Sequence, residues 1–255
     1  MTTRDDVLSH LIAMSRELGD PTNDYVILGE GNTSAKVDEE TFFVKASGTT
    51  LCGIGAEGFC EVCTRSVLSL LEKGALTDDE VKDGLAAACA DPGHTARPSV
   101  ETFLHALLLS VEGVRFVGHT HPTAVNIMLC SEGGEQAVSG RLFPDEIVCC
   151  GVAPVWVPYT DPGAPLALEV KRRVEQYIAD RGERPKAILM QNHGLIALGA
   201  TPKEVLSTTA MWVKTARVLV GTYTLGGPHY LSEENVARIH TRPDEKYRQK
   251  GISGA

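Results

Sequence analysis

The sequence predicts an α/β fold: a single three-layer α/β/α domain around a central, largely antiparallel or mixed sheet. Three observations carry this. Short β-branched and aromatic runs cluster together, and periodic apolar segments of helical length surround them. The two kinds do not alternate strictly, which argues against an all-parallel sheet. The chain's 255 residues are enough to bury a substantial core in one domain.

In "TTRDDVLSHLIAMSRELG", Val7, Leu8, Leu11, Ile12 and Leu18 share a helical face, and Gly19 ends it. "YVIL", "TSAKV" and "TFFVK" read as three strands of a meander, with "GFCEVC" as a further strand. Helices follow at "TRSVLSLLEKG" and "TDDEVKDGLAAACA", with Thr64 and Thr77 as N-caps. After the loop "DPGHTARPS", "VETFLHALLLSV" is helical, "VRFVGHT" a strand, and "PTAVNIMLC" a helix opened by Pro122. "DEIVCC" and "APVWVPY" read as paired strands. "APLALEVKRRVEQYIADRG" is a helix, "KAILMQN" and "LIAL" are strands, and "TPKEVLSTTAMWVKTARVLVGTYTL" is a long helix. Residues 1–225 form the domain, and 226–255 a polar, peripheral tail.

Composition narrows the function. A net charge of −9 without a Lys/Arg block argues against a nucleic-acid face. No apolar run reaches membrane-spanning length, and "MTTRDDVLSH" has no export signal, so a cytoplasmic protein is expected. The seven cysteines lack a framework spacing. Cys60 and Cys63 lie three apart on a strand and point to opposite faces, so the cysteines read as reduced, mostly buried thiols.

The candidate chemistry lies in "FVGHTHPTAV". His119 and His121 are two apart at a strand end and leave the same face, so their imidazoles converge. His193, in the corner of "AILMQNHGLIAL", costs free energy to bury unless it is hydrogen-bonded or ligated. Three histidines with an open position match a catalytic zinc pattern, but a satisfied core histidine fits each one alone. Glu101 begins an apolar helix, either as a carboxylate favoured by the helix dipole or as one held near a metal. His105 follows it by four residues and shares its helical face, as a packed core residue or a support for the site. His10, His94, His229 and His240 lie in polar segments and receive no role. "GEGNTSAK" and "KASGTT" are ordinary turns or anion loops: Gly31 and Gly48 permit close backbone approach, Asn32, Ser47 and Thr49 add donors, and Lys45 a cation. Ser99 adds a hydroxyl beside a helix N-terminus.

Taken in order, "GEGNTS", "KASGTTL", "RPSVE", "GHTHP" and "QNHGL" resemble the class II aldolase/adducin head-domain family, from about Leu8 to Leu225. The resemblance implies one Zn2+ per chain on His119, His121 and His193. It implies Glu101 as catalytic acid/base that also ligates zinc before substrate arrives. Asn32, Ser47, Gly48 and Ser99 match positions that hold the substrate phosphate in the phosphate aldolases, and Gly31 and Lys45 join them as substrate-binding candidates from the loop reading above. Gly29 and Val100 depart from the family pattern, standing where the phosphate aldolases usually have hydroxyl residues. No tyrosine matches the acid supplied by a neighbouring subunit in the fuculose enzyme; Asp145 and Tyr159 are the nearest candidates. "GEGNTS" and "PYTDPG" look more like the aldolase half of fused rhamnulose phosphate aldolase/dehydrogenase proteins. The implied activity is zinc-dependent aldol cleavage of a ketose phosphate or related keto-sugar through an enediolate, in a cyclic homotetramer with sites between subunits. Epimerisation, dehydration or decarboxylation of a similar phosphate is the alternative, and an adducin-like binding module without catalysis a further one.

Overall fold

The protein, a computed structural model, is described for residues 3–74, 76–91, 93 and 96–253. His94 lies outside the described residues. In chain order the elements are α1 (Arg4–Leu18), β1 (Asn32–Lys36), β2 (Thr41–Lys45), β3 (Phe59–Cys63), α2 (Thr64–Glu72) and α3 (Asp78–Ala87). There follow α4 (Thr102–Leu109), β4 (Phe116–Thr120), α5 (Thr123–Leu129), α6 (Gly134–Ala137), α7 (Pro144–Cys150) and β5 (Val155–Val157). The chain continues with α8 (Ala164–Arg181), β6 (Ala187–Met190), β7 (Gly194–Gly199), α9 (Pro202–Thr222), α10 (Glu233–Thr241) and α11 (Pro243–Ser253).

The seven strands form one sheet in the order β3-β2-β1-β4-β7-β6-β5. Every pairing is antiparallel except β5 with β6. The expected largely antiparallel sheet is therefore present, with helices on both faces. Val117, Ile188, Ile196 and Leu198 meet α4 and α8 on one face. Ala35, Phe116, Ala197 and Leu195 meet α1, α5 and α9 on the other. Strand alternation makes this division: neighbours on each strand point into different cores.

Local signals explain several boundaries. Thr3 caps α1 in a reciprocal box with Asp6, and Thr77 caps α3 with Glu80. The turn between β1 and β2 is closed by Asp38, whose carboxylate accepts from the backbone N–H groups of Glu40 and Thr41, each at 2.8 Å.

Three expectations need correction. "YVIL" is not a strand: Asp24 and Leu28 adopt left-handed backbone (φ 57° and 53°), and both edges of β1 are already occupied by β2 and β4. It is an irregular segment leaving Ile27 and Leu28 exposed. "DEIVCC" forms helix α7, because Pro144 sits at its first turn with Asp145 and Glu146 beside it. Its β-branched residues are buried from the helix. The N-cap of α2 is Cys63, so Thr64 is its first helical residue. Beyond these, the polar segment after Gly226 carries α10 and α11, which pack on α7 from outside, with α11 also reaching α9.

Candidate metal centre

The three histidines meet. His119 is the penultimate residue of β4 and fully buried; His121 follows the strand, its backbone N–H bonded to the Tyr25 carbonyl at 2.9 Å. His193 occupies the corner between β6 and β7, shaped by left-handed Asn192 (φ 54°). Asn126 holds the His193 carbonyl at 3.2 Å. Ring centroids lie 4.7 to 5.2 Å apart, and the ligand atoms all fall within 4.8 Å of one another. Gly194 makes this possible: a Cβ there would stand 2.6 Å from the His121 ring and from the Thr120 carbonyl.

The donor chemistry fits a divalent cation. The Leu195 carbonyl accepts from His119 Nδ1 at 3.1 Å, so the lone pair of Nε2 faces the cluster. His121 Nε2 stands 2.9 Å from it. Burial pushes both His119 and His121 down to about 4, so each presents a neutral imidazole near pH 7.

Glu101 completes the set. It occupies the N-cap position of α4, yet its side chain makes no capping hydrogen bond. It turns instead to the histidines, with Oε1 3.3 Å from His193 Nε2 and 3.7 Å from His119 Nε2. Oε2 accepts from the Asn32 amide. Burial pushes the carboxyl up, but His119, His193 and Asn32 outweigh that and hold it well below the usual carboxylate range. Three imidazoles with a carboxylate beside them make a nitrogen-rich donor set that fits a transition-metal ion better than magnesium.

A cleft of about 290 Å³ opens beside Glu101 and His121. The predicted anion residues Gly31, Asn32, Lys45, Ser47, Gly48 and Ser99 all line it, with Gly29, Glu30, Val100 and Pro162. Ala46 pairs with Pro98, and the Ser47 N–H bonds to the Arg97 carbonyl at 2.8 Å, which ties the "KASG" loop to the Ser99 segment. Gly31 and Gly48 are left-handed (φ 68° and 77°), as close backbone approach requires. Lys45 is only 4% exposed and its ammonium reaches the Gly29 carbonyl at 3.4 Å. Burial lowers its pKa while Glu101 raises it. The Ser99 hydroxyl is buried without a protein partner, so a ligand group can satisfy it. Asn32 lines the cleft, but its side chain is committed to Glu101 and His105.

Asp145 and Tyr159 stand elsewhere within one chain. Arg248 of α11 binds Asp145 at 2.6 Å, and the exposed Tyr159 hydroxyl bonds to Asp161 at 3.1 Å. Two contributors were not assigned to the site from sequence. Glu30 lies 3.8 Å from His121 Nδ1, and Ser34 bonds to His105 at 2.6 Å. The Glu101–His105 spacing was the visible hint that His105 supports the site; its partners were not visible.

The family model for the Class II Aldolase and Adducin N-terminal domain matches residues 9–220. A Bacillus subtilis (strain 168) protein named as an uncharacterized oxidoreductase, YuxG, is 30% identical over 196 residues, covering 74% of this chain and 26% of that protein. This chain thus spans about a quarter of that relative. The 3-oxo-tetronate 4-phosphate decarboxylase of Haemophilus influenzae is 23% identical over 222 residues, covering 86% of this chain and 89% of that one. Among solved structures, the N-terminal class II aldolase domain of a conserved Thermoplasma acidophilum protein superposes with a TM-score of 0.68 at 26% identity, covering 86% and 96% of the two chains.

Proposed function

The chain belongs to the class II aldolase and adducin N-terminal domain family, and from that premise we propose a zinc-dependent aldolase that reversibly cleaves a ketose phosphate or related keto-sugar. The observation that supports it most is Glu101 standing 3.3 Å and 3.7 Å from two members of the histidine triad. A binding module without catalysis gives no reason to gather three imidazoles and a carboxylate this closely, with His119 fully buried among them.

His119, His121, His193 and Glu101 would hold the metal, about one per chain. A cation bound there supplies Lewis-acid stabilisation of the negative charge that develops as the C–C bond breaks. The protein's own groups do the rest. In the condensation direction, the ionised Glu101 removes a proton from the carbon of the ketone fragment beside its carbonyl; in cleavage it returns that proton. Lys45, Ser47, Gly48 and Ser99 hold the anionic or hydroxyl end of the substrate in the cleft. Asp145 or Tyr159 of the partner subunit exchanges the hydroxyl proton of the aldehyde fragment, in a cyclic homotetramer.

Decarboxylation of a keto-acid phosphate is the second reading, favoured by the relative that is covered over most of its length. It leaves the same charge on the retained ketone when carbon dioxide departs. A screen of keto-sugars and keto-acids, with and without phosphate, read by mass spectrometry, separates the two. Two carbonyl fragments support the aldolase; carbon dioxide with one ketone replaces it by the decarboxylase.

The metal is tested independently. Purified protein should carry about one zinc per chain by elemental analysis, and His193→Ala should lose most of it. Full retention of zinc in that variant sinks the assignment.

A further inference from the structure

Four side chains form a continuous hydrogen-bonded line into the site: Ser34, His105, Asn32 and Glu101. Asn32 and Ser34 are two apart on β1 and point to one face, where α4 lays His105 across them. Ser34 and His105 are fully buried, and Asn32 is 6% exposed. His105 has no surface open to solvent that could offer it another partner.

The chemistry leaves each member one role. Asn32 gives Nδ2 to Glu101, whose Oε2 accepts. Asn32 then turns Oδ1 to His105, and an amide oxygen only accepts, so His105 carries its proton on Nε2. The lone pair left on Nδ1 accepts from the Ser34 hydroxyl at 2.6 Å. Burial pushes His105 down to about 4, consistent with a neutral ring. Every bond therefore runs in one direction, from Ser34 toward the carboxylate.

We infer that His105 is a positioning residue for proton transfer: its Nε2–H locks the orientation of the Asn32 amide, and the amide aims the Glu101 carboxylate. The inference rests on Glu101 being the base. Without that N–H, the Asn32 amide is free to turn half a revolution and face oxygen to oxygen with Glu101. The carboxylate then loses its fixed donor and shares its time among several positions. Groups that orient a reacting residue in this way are typically worth about 10–100-fold.

Two measurements test it. Long-range 1H–15N spectra of the purified protein labelled with 15N-histidine should show His105 neutral and protonated at Nε2 at pH 7. A ring protonated at Nδ1, or at both nitrogens, overturns the inference. The second measurement uses dihydroxyacetone phosphate in D2O with the zinc-loaded protein, following exchange of its hydroxymethyl proton by NMR. His105→Leu should lower the maximal exchange rate by about 10–100-fold with little change in the half-saturating concentration. His105→Gln, whose amide N–H can still reach Asn32, should recover most of it. A His105→Leu protein that exchanges like wild type overturns the inference. Should that variant fail to fold, Ser34→Ala serves: freeing Nδ1 should produce a mixture of tautomers and a slower exchange, and an unaltered tautomer with an unaltered rate overturns the directed line. Glu101→Gln exchanging at the wild-type rate, or no exchange by wild type, removes the base and the positioning role with it. The tautomer spectrum distinguishes that failure from a failure of the line itself.

Discussion

Asn32 and His119 are register partners across the antiparallel ladder of β1 and β4. Directly opposed side chains on one sheet face lie about 5 Å apart, so the amide that holds Glu101 and a histidine of the triad are neighbours by strand pairing alone. The turn into β1 keeps them there. Gly31 is left-handed, and a Cβ on it would stand 2.6 Å from the His119 carbonyl.

Replacing Glu101 should damage chemistry far more than folding. Its side chain caps nothing, so Glu101→Gln should keep a thermal midpoint close to that of the parent protein. Loss of a general base typically costs about 10²–10⁴ in rate. Turnover and thermal denaturation measured on the same preparation check both halves. Wild-type turnover in the variant rules out a role as base.

Gly194→Ala should loosen the metal centre without touching a ligand. The added methyl would meet the His121 ring and the Thr120 carbonyl at 2.6 Å and His119 Cε1 at 3.1 Å. Overpacking of this kind typically costs about 1–3 kcal/mol, and the rings must rotate to relieve it. Zinc affinity, measured by competition with a chromophoric chelator, should fall by about 10–100-fold. Unchanged affinity would show that the rings do not depend on the missing Cβ.

The thiols should divide by environment. Burial pushes Cys60 up to about 12, raises Cys149, and carries Cys150 well above its ordinary value. Cys52 and Cys130 are exposed, and hydrogen bonds from Ser66 lower half-buried Cys63. A raised pKa leaves less thiolate at pH 8, the reactive form. Alkylation of native protein at that pH, mapped by peptide mass spectrometry, should mark Cys52, Cys63 and Cys130. Cys60, Cys149 and Cys150 should stay unmarked until denaturant is added.

Assembly into a cyclic homotetramer is expected from the incomplete second acid. Tyr159 is 59% exposed, and the outer side of α9 leaves Val218 40% exposed. Light scattering at assay concentration should report four chains. An active monomer discards both the ring and the partner subunit's Asp145 or Tyr159 as acid.

What was legible in the sequence was local and periodic. A spacing of two on a strand placed His119 and His121 on one face, and the ordered motifs placed Glu101 and His193 beside them. The errors had local causes as well. "YVIL" has the composition of a strand, but Leu28 takes a left-handed turn. "DEIVCC" carries a β-branched run that outweighed the helix start at Pro144, although burial from a helix serves those side chains equally well.

The sequence by itself determined the donor types, their spacing on each element and the alternation that sorts side chains between the two cores. Tertiary structure alone decided which partners several of them meet. Glu101 had a cap reading and a site reading, and His105 a core reading and a support reading; each was open because the deciding partners lie far away in the chain. His105 meets Ser34 and Asn32 across 71 and 73 residues, and Glu101 meets Asn32 across 69. A pattern along the chain records which face a residue occupies. Only the packing of α4 against β1 brings a particular acceptor to a particular donor on that face, and around the fully buried His105 that pairing sets where each proton sits.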